Sequence, residues 1–211
     1  MRIALVLLFS IFLAGTGLRA QFVSFGTTLG FDLYQHMRVP STEVLETYGT
    51  GSALANINFG PKIWFGKGKT NFSLEAQASY APFAYDTKDY KGLGALSFPL
   101  IGSFNFNGIS TTQNGFGTGF SVGGGVLYTN ADLYFLSDDY GDIPRVDRLQ
   151  YFPTYFGQLA FGGGGAGLAI NLYVRYGMGP DNAAFFSTGI MMNINSTSIR
   201  GLKKVPESIQ D

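Results

Sequence analysis

The chain of 211 residues contains no cysteine. Disulfide cross-links, thiolate metal ligands and a lipid-acylated amino-terminal cysteine are thereby excluded. Charge is scarce as well: Asp, Glu, Lys and Arg make up 13% of the residues and cancel to a net charge of zero. That balance excludes the basic surface of a nucleic-acid binder and the charge-rich composition of a disordered chain. Histidine occurs once, at His36, and beyond residues 3–13 no apolar run approaches the ~20 residues of a membrane-spanning helix. Glycine, phenylalanine and tyrosine are abundant, at 30, 20 and 12 residues. Such a composition suits an all-β protein with apolar walls.

Residues 1–20 begin with Arg2, continue with the apolar run 3–13 and end in small residues and Leu18-Arg19-Ala20. This pattern predicts a secretory signal peptide cleaved after Ala20, although Leu18 stands where a small residue is usual.

Residues 166–196 contain two alternating runs joined by a tight turn. Leu168, Ile170, Leu172, Val174, Tyr176 and Met178 fall on one face, against Ala169, Asn171, Tyr173, Arg175 and Gly177 on the other. Gly179-Pro180-Asp181-Asn182 makes the turn, and Ala184, Phe186, Thr188, Ile190, Met192 and Ile194 resume the alternation against Ser187, Gly189, Asn193 and Asn195. The spacing predicts a β-hairpin whose runs reach the ~9–11 residues that a tilted strand needs to cross a bilayer.

The same period of two recurs along the chain, at residues 23–33, 53–65, 71–80, 94–106 and 117–128, and a run aromatic on both faces at 151–161 reads as a further strand, which with the hairpin makes eight. Pro99 removes one ladder donor and predicts a bulge or bend in its strand. Connections alternate in length: 66–70, 107–116 and 162–165 are short or glycine-rich, whereas 36–52, 81–93 and 129–150 are longer. Short turns belong on the periplasmic side of outer-membrane barrels and long loops outside. The amino terminus and the tail 197–211 are then periplasmic.

Nearly all charges fall in loops and tail. The exceptions, Asp32, Lys62, Glu75 and Arg175, fall on the polar face of their strands, which is small and otherwise uncharged, as suits a narrow lumen. Closing the hairpin through 67–70 pairs Gly66 with Asn71 and brings Lys62 opposite Glu75. Inward glycines Gly117, Gly119, Gly123 and Gly125 leave room for Tyr34, Trp64, Phe156 and Tyr173, which alternation also points inward. In this pattern the sequence resembles the small outer-membrane β-barrel proteins of Gram-negative bacteria, in particular the outer-membrane barrel-domain family with about eight strands. Leu96 to Phe106, LSFPLIGSFNF, is similar to the proline-containing fourth strand of that family. Such barrels often end on an aromatic residue of the last strand. Here Thr197 to Asp211 follow, so an assembly signal is expected internally, ending near Ile194.

Four other features offer chemistry. The run at 162–167 formally contains G-x-G-x-x-G, but a dinucleotide site needs a helix to follow, and Leu168 opens a strand pattern instead. His36, with Ser41, Asp86 or Asp89, has the residue types of a lipid-modifying acyltransferase or esterase, without a nucleophile elbow. Asp132, Asp138, Asp139, Asp142 and Asp147 could offer carboxylates to Ca²⁺, yet miss the EF-hand spacing. Lys203 and Lys204 could touch anionic lipid or a periplasmic partner. A flexible periplasmic turn accounts for the glycine run, and ordinary solvation of loops and tail for the other three.

The reading is therefore an eight-stranded antiparallel up-and-down transmembrane β-barrel over residues 21–196, with a signal peptide at 1–20 and a periplasmic tail at 197–211. Its expected role is structural or interactive, through loops and tail, with outer-membrane lipid and an outer-membrane or periplasmic protein as partners. No cofactor, metal, enzyme activity or nucleic-acid partner is expected. The alternatives are a small-solute channel or ligand-binding barrel, and then a lipid-modifying enzyme.

Overall fold

A computed structural model describes residues 22–38, 49–81, 85–86, 95–112, 115–130, 152–181 and 183–202. The predicted leader, the carboxylates of 131–150, Ser41, Asp89, Lys203 and Lys204 lie outside these residues.

The strands are β1 (Val23–Arg38), β2 (Gly49–Phe65), β3 (Thr70–Ala76), β4 (Ala78–Ala81), β5 (Tyr85–Asp86), β6 (Ala95–Asn107), β7 (Gly117–Asn130), β8 (Phe152–Gly165), β9 (Leu168–Met178) and β10 (Ala184–Asn195). A short helix, α1 (Ser196–Leu202), follows. β3, β4 and β5 lie end to end as one stave, so the sheet has eight staves, all antiparallel to their neighbours. β1 pairs with β2 on one side and β10 on the other, which closes the barrel.

Pro99 does not bulge its strand. The register is the same on either side of it, with Ala76 opposite Leu100 and Ser79 opposite Ser97. The missing donor falls opposite Gln77, where β3 breaks from β4, and the Gln77 amide still donates to the Pro99 carbonyl at 2.8 Å. The irregularity lies instead in β1, where the pairing shifts between Asp32 and Tyr34. That shift leaves both Leu33 and Tyr34 on the outside and returns Gln35 to the inside. Tyr34 thus points outward, contrary to simple alternation, whereas Trp64, Phe156 and Tyr173 are buried inside.

Polarity is inverted relative to a water-soluble sandwich. Inward positions carry Thr28, Asn56, Asn58, Asn71, Ser73, Asn105, Gln158, Asn171 and Asn193, all buried, while outward positions carry exposed Leu, Ile, Val, Phe and Tyr. One end of the barrel, the turn end, holds residues 66–69, 108–112, 115–116 and 166–167. At the other end, the loop end, β1, β7 and β9 finish at Arg38, Asn130 and Met178, and the tight turn from Gly179 to Ala183 joins β9 to β10. β8 runs through Gly165, so the glycine run is mostly strand, and the turn falls at Ala166 and Gly167, which carry positive φ of 53° and 95°.

Candidate functional site

The lumen is built in two layers. The upper one, a charged waist, grows from β1, β2, β3, β8, β9 and β10. Lys62 faces Glu75 in the β2–β3 ladder, and their side chains form an ion pair of 2.9 Å. The Lys62 ammonium also donates to Asn193 Oδ1 at 3.0 Å and lies 5.6 Å from the Trp64 ring centroid. Gln77 donates to the other side of this pair, at Glu75 Oε1. It then accepts from the Arg175 guanidinium at 3.2 Å, while Arg175 Nε donates to Gln158 Oε1 at 2.7 Å.

Arg175 lies over the Tyr173 ring, 4.5 Å from its centroid, so its charge is met by amide oxygens and a π face. The Tyr173 hydroxyl donates to Asp32, whose carboxylate also accepts from Asn58 at 2.7 Å and Asn56 at 3.4 Å. Asp32, Lys62, Glu75 and Arg175 are each at most 5% exposed. Two carboxylates and two cations cancel, and the glutamines and asparagines between them supply the hydrogen bonds that burial removes from water.

The lower layer is an uncharged floor. Asn105 donates to Asn71 Oδ1 and Ser73 Oγ, both at 2.9 Å. Beneath it residues 108–112, which follow β6, cross the turn-end mouth as a strap. It opens with a 3-10 turn at Gly108–Ser110, and Ile109, Ser110 and Thr111 are at most 1% exposed. Asn71 donates to the Ser110 carbonyl at 2.6 Å, and Ser110 and Thr112 hydroxyls donate to the Gly68 carbonyl at 2.7 and 2.9 Å. On the far side Gly167 N donates to the Thr111 carbonyl at 3.0 Å and Asn195 Nδ2 to its hydroxyl at 3.2 Å. β6 and β10 stand on opposite walls of the barrel, so the strap spans its width. Two non-glycine residues bend it, Asn107 at φ 53° and Thr111 at φ 58°.

His36 belongs to β1 rather than to a loop, and Asp86 belongs to β5, where it pairs with Thr50. Among the described residues no group of three or more His, Cys, Asp or Glu side chains is placed to hold a metal ion. The stretch after the glycine run is β9, not a helix, so the geometry of a dinucleotide loop is absent there. Residues that alternation did not single out as a site, Ser110, Thr111 and Asn195, close the mouth. Comparison with protein-family models, with curated proteins and with solved structures finds no match.

Proposed function

We propose that the chain is a transmembrane β-barrel of a Gram-negative outer membrane, acting as a closed scaffold that offers its loops outside and its tail in the periplasm to lipid and protein partners. The observation that carries this reading is the inverted wall. Leu159, Phe161, Ile170 and Leu172, on adjoining strands, are 62%, 63%, 52% and 57% exposed. In water such a continuous apolar surface would drive aggregation, whereas hydrocarbon stabilises it, and barrel closure satisfies the backbone without solvent.

Dimensions and aromatics agree. The 11 residues of β9 rise about 28 Å at ~3.3 Å each and a tilt of ~40°, enough for an apolar band of about 25 Å. Among described residues, every outward tyrosine (Tyr34, Tyr80, Tyr128, Tyr155, Tyr176) lies in the loop-end half, while Phe25, Phe104, Phe120 and Phe161 face out nearer the turn end. A phenol needs a polar partner and so belongs at a headgroup interface. The filled lumen and the strapped mouth favour a scaffold over a pore.

The test is expression with its leader, followed by membrane fractionation and gel migration with and without boiling. Outer-membrane recovery and heat-dependent migration are expected, with no steady conductance in planar bilayers. Recovery as a detergent-free soluble monomer would refute the membrane reading. Steady ion conductance would replace the scaffold by a channel lined by Lys62, Glu75 and Arg175.

A further inference from the structure

We infer that the tail helix α1 is a latch that holds the strap across the turn-end mouth, and that Asn195 transmits its state. Asn195 is the last residue of β10 and is fully buried. Its amide group faces two ways. Oδ1 accepts from Ser198 N at 3.1 Å and so caps the first turn of α1. Nδ2 donates to Thr111 Oγ1 in the strap at 3.2 Å and to Ser24 Oγ in β1 at 2.9 Å. One side chain thus joins helix, strap and wall.

The backbone repeats the link. Asn195 N donates to the Gly167 carbonyl at 2.7 Å, and Gly167 N donates to the Thr111 carbonyl at 3.0 Å. A Cβ at Gly167 would stand 2.6 Å from Ile199 Cγ1 of α1, so helix and turn are packed closely at a residue whose φ of 95° favours glycine. Thr197 ties the helix to β1 by accepting from Phe25 N at 3.1 Å.

The strap itself holds a strained shape. Thr111 is β-branched and left-handed at φ 58°, and Asn107 combines φ 53° with ψ −127°. Such conformations persist only where surrounding contacts enforce them. Opposite β6 those contacts are Asn195 at the end of β10 and Gly167 in the β8–β9 turn. Releasing α1 frees the Asn195 amide, loosens Thr111 and admits water to the floor. A periplasmic partner that captures the tail would open this mouth while leaving the charged waist shut. The inference extends the closed scaffold and needs only the barrel geometry, so it is tested in detergent, apart from the membrane assignment.

The absence of native cysteine gives clean single-cysteine reporters. Ser103 and Thr154 are buried in the lumen near the turn end and the loop end, and neither hydroxyl has a hydrogen-bond partner, so Ser103→Cys and Thr154→Cys are mild. Labelling by a charged methanethiosulfonate is timed in each, alone and combined with Asn195→Asp, which keeps the cap acceptor but removes the donor to Thr111. Ser198→Pro, which removes the capped N–H and lies outside the strands, is the second variant. All are compared as folded protein with unchanged circular dichroism. The latch predicts that both variants speed labelling at position 103 at least about tenfold, by local opening, and leave position 154 unchanged. Acceleration by Asn195→Asp alone would mean that the strap is anchored but not governed by the helix. Acceleration at both positions, or at neither, would likewise overturn the latch.

Discussion

The waist and the floor of this lumen are both polar, both buried and only a few residues apart, yet they are built on different principles. In the waist, buried charges are joined in series, and each depends on its neighbour: Lys62 on Glu75, Glu75 on the amide of Gln77, and Arg175 on the same amide's oxygen. In the floor, neutral amides and hydroxyls satisfy one another locally, as Asn105 does with Asn71 and Ser73. A charge deprived of its partner in a dry interior has no cheap alternative, whereas a neutral amide loses one or two bonds of ordinary strength. The waist should therefore be brittle and the floor forgiving.

Glu75→Leu breaks this contrast most severely, since it leaves the Lys62 ammonium buried without its carboxylate. The folded barrel should lose about 3–5 kcal/mol, measured by urea unfolding in detergent. Adding Lys62→Met should recover most of that loss. If the single variant unfolds like the parent, water already reaches the waist and the two layers do not differ. Asn105→Ala in the floor should cost less, about 1–2 kcal/mol, because two neutral acceptors lose one donor each.

A still smaller change of opposite sign is expected at the strap. Asn107→Gly relieves a backbone conformation that only glycine adopts freely, and should raise stability by about 1 kcal/mol. No change there would mean that the surrounding contacts, not the residue, set the strain. Cutting residues 131–147 to a short turn should shift the unfolding midpoint least, by under about 0.5 kcal/mol, since the described ladders do not include that loop. The same cut should abolish partner capture by the loops. A large loss of stability would instead make the loop part of the barrel.

Much of the waist was legible in the sequence because strand alternation and a tight turn suffice to place residues. The pairing of Lys62 with Glu75 follows from the turn at 66–70, and the faces of β9 and β10 from the period of two. The floor was not legible in the same way. The strap 107–112 has no periodicity, its bends occur at Asn107 and Thr111 rather than at glycine, and its partners come from opposite walls. Alternation also fails wherever the pairing slips, as it does between Asp32 and Tyr34, which turned Tyr34 outward. Glycines carry no face of their own, so the extent of β8 through Gly165 was hidden in what read as a turn. Pro99 misled for a related reason: a missing donor interrupts a ladder without inserting a residue.

The chain's only tryptophan sits inside the barrel. Trp64 is fully buried near the turn end, its indole N–H without a hydrogen-bond partner and Lys62 above its ring. Optically, this makes the molecule its own hygrometer. An indole in a dry cage emits toward the blue, and the first water to reach it moves the emission red, whatever the strands are doing. Fluorescence should thus report wetting of the lumen, and far-ultraviolet dichroism the loss of the ladders. A separation between the two signals during denaturation would reveal a barrel that is wet inside and still closed.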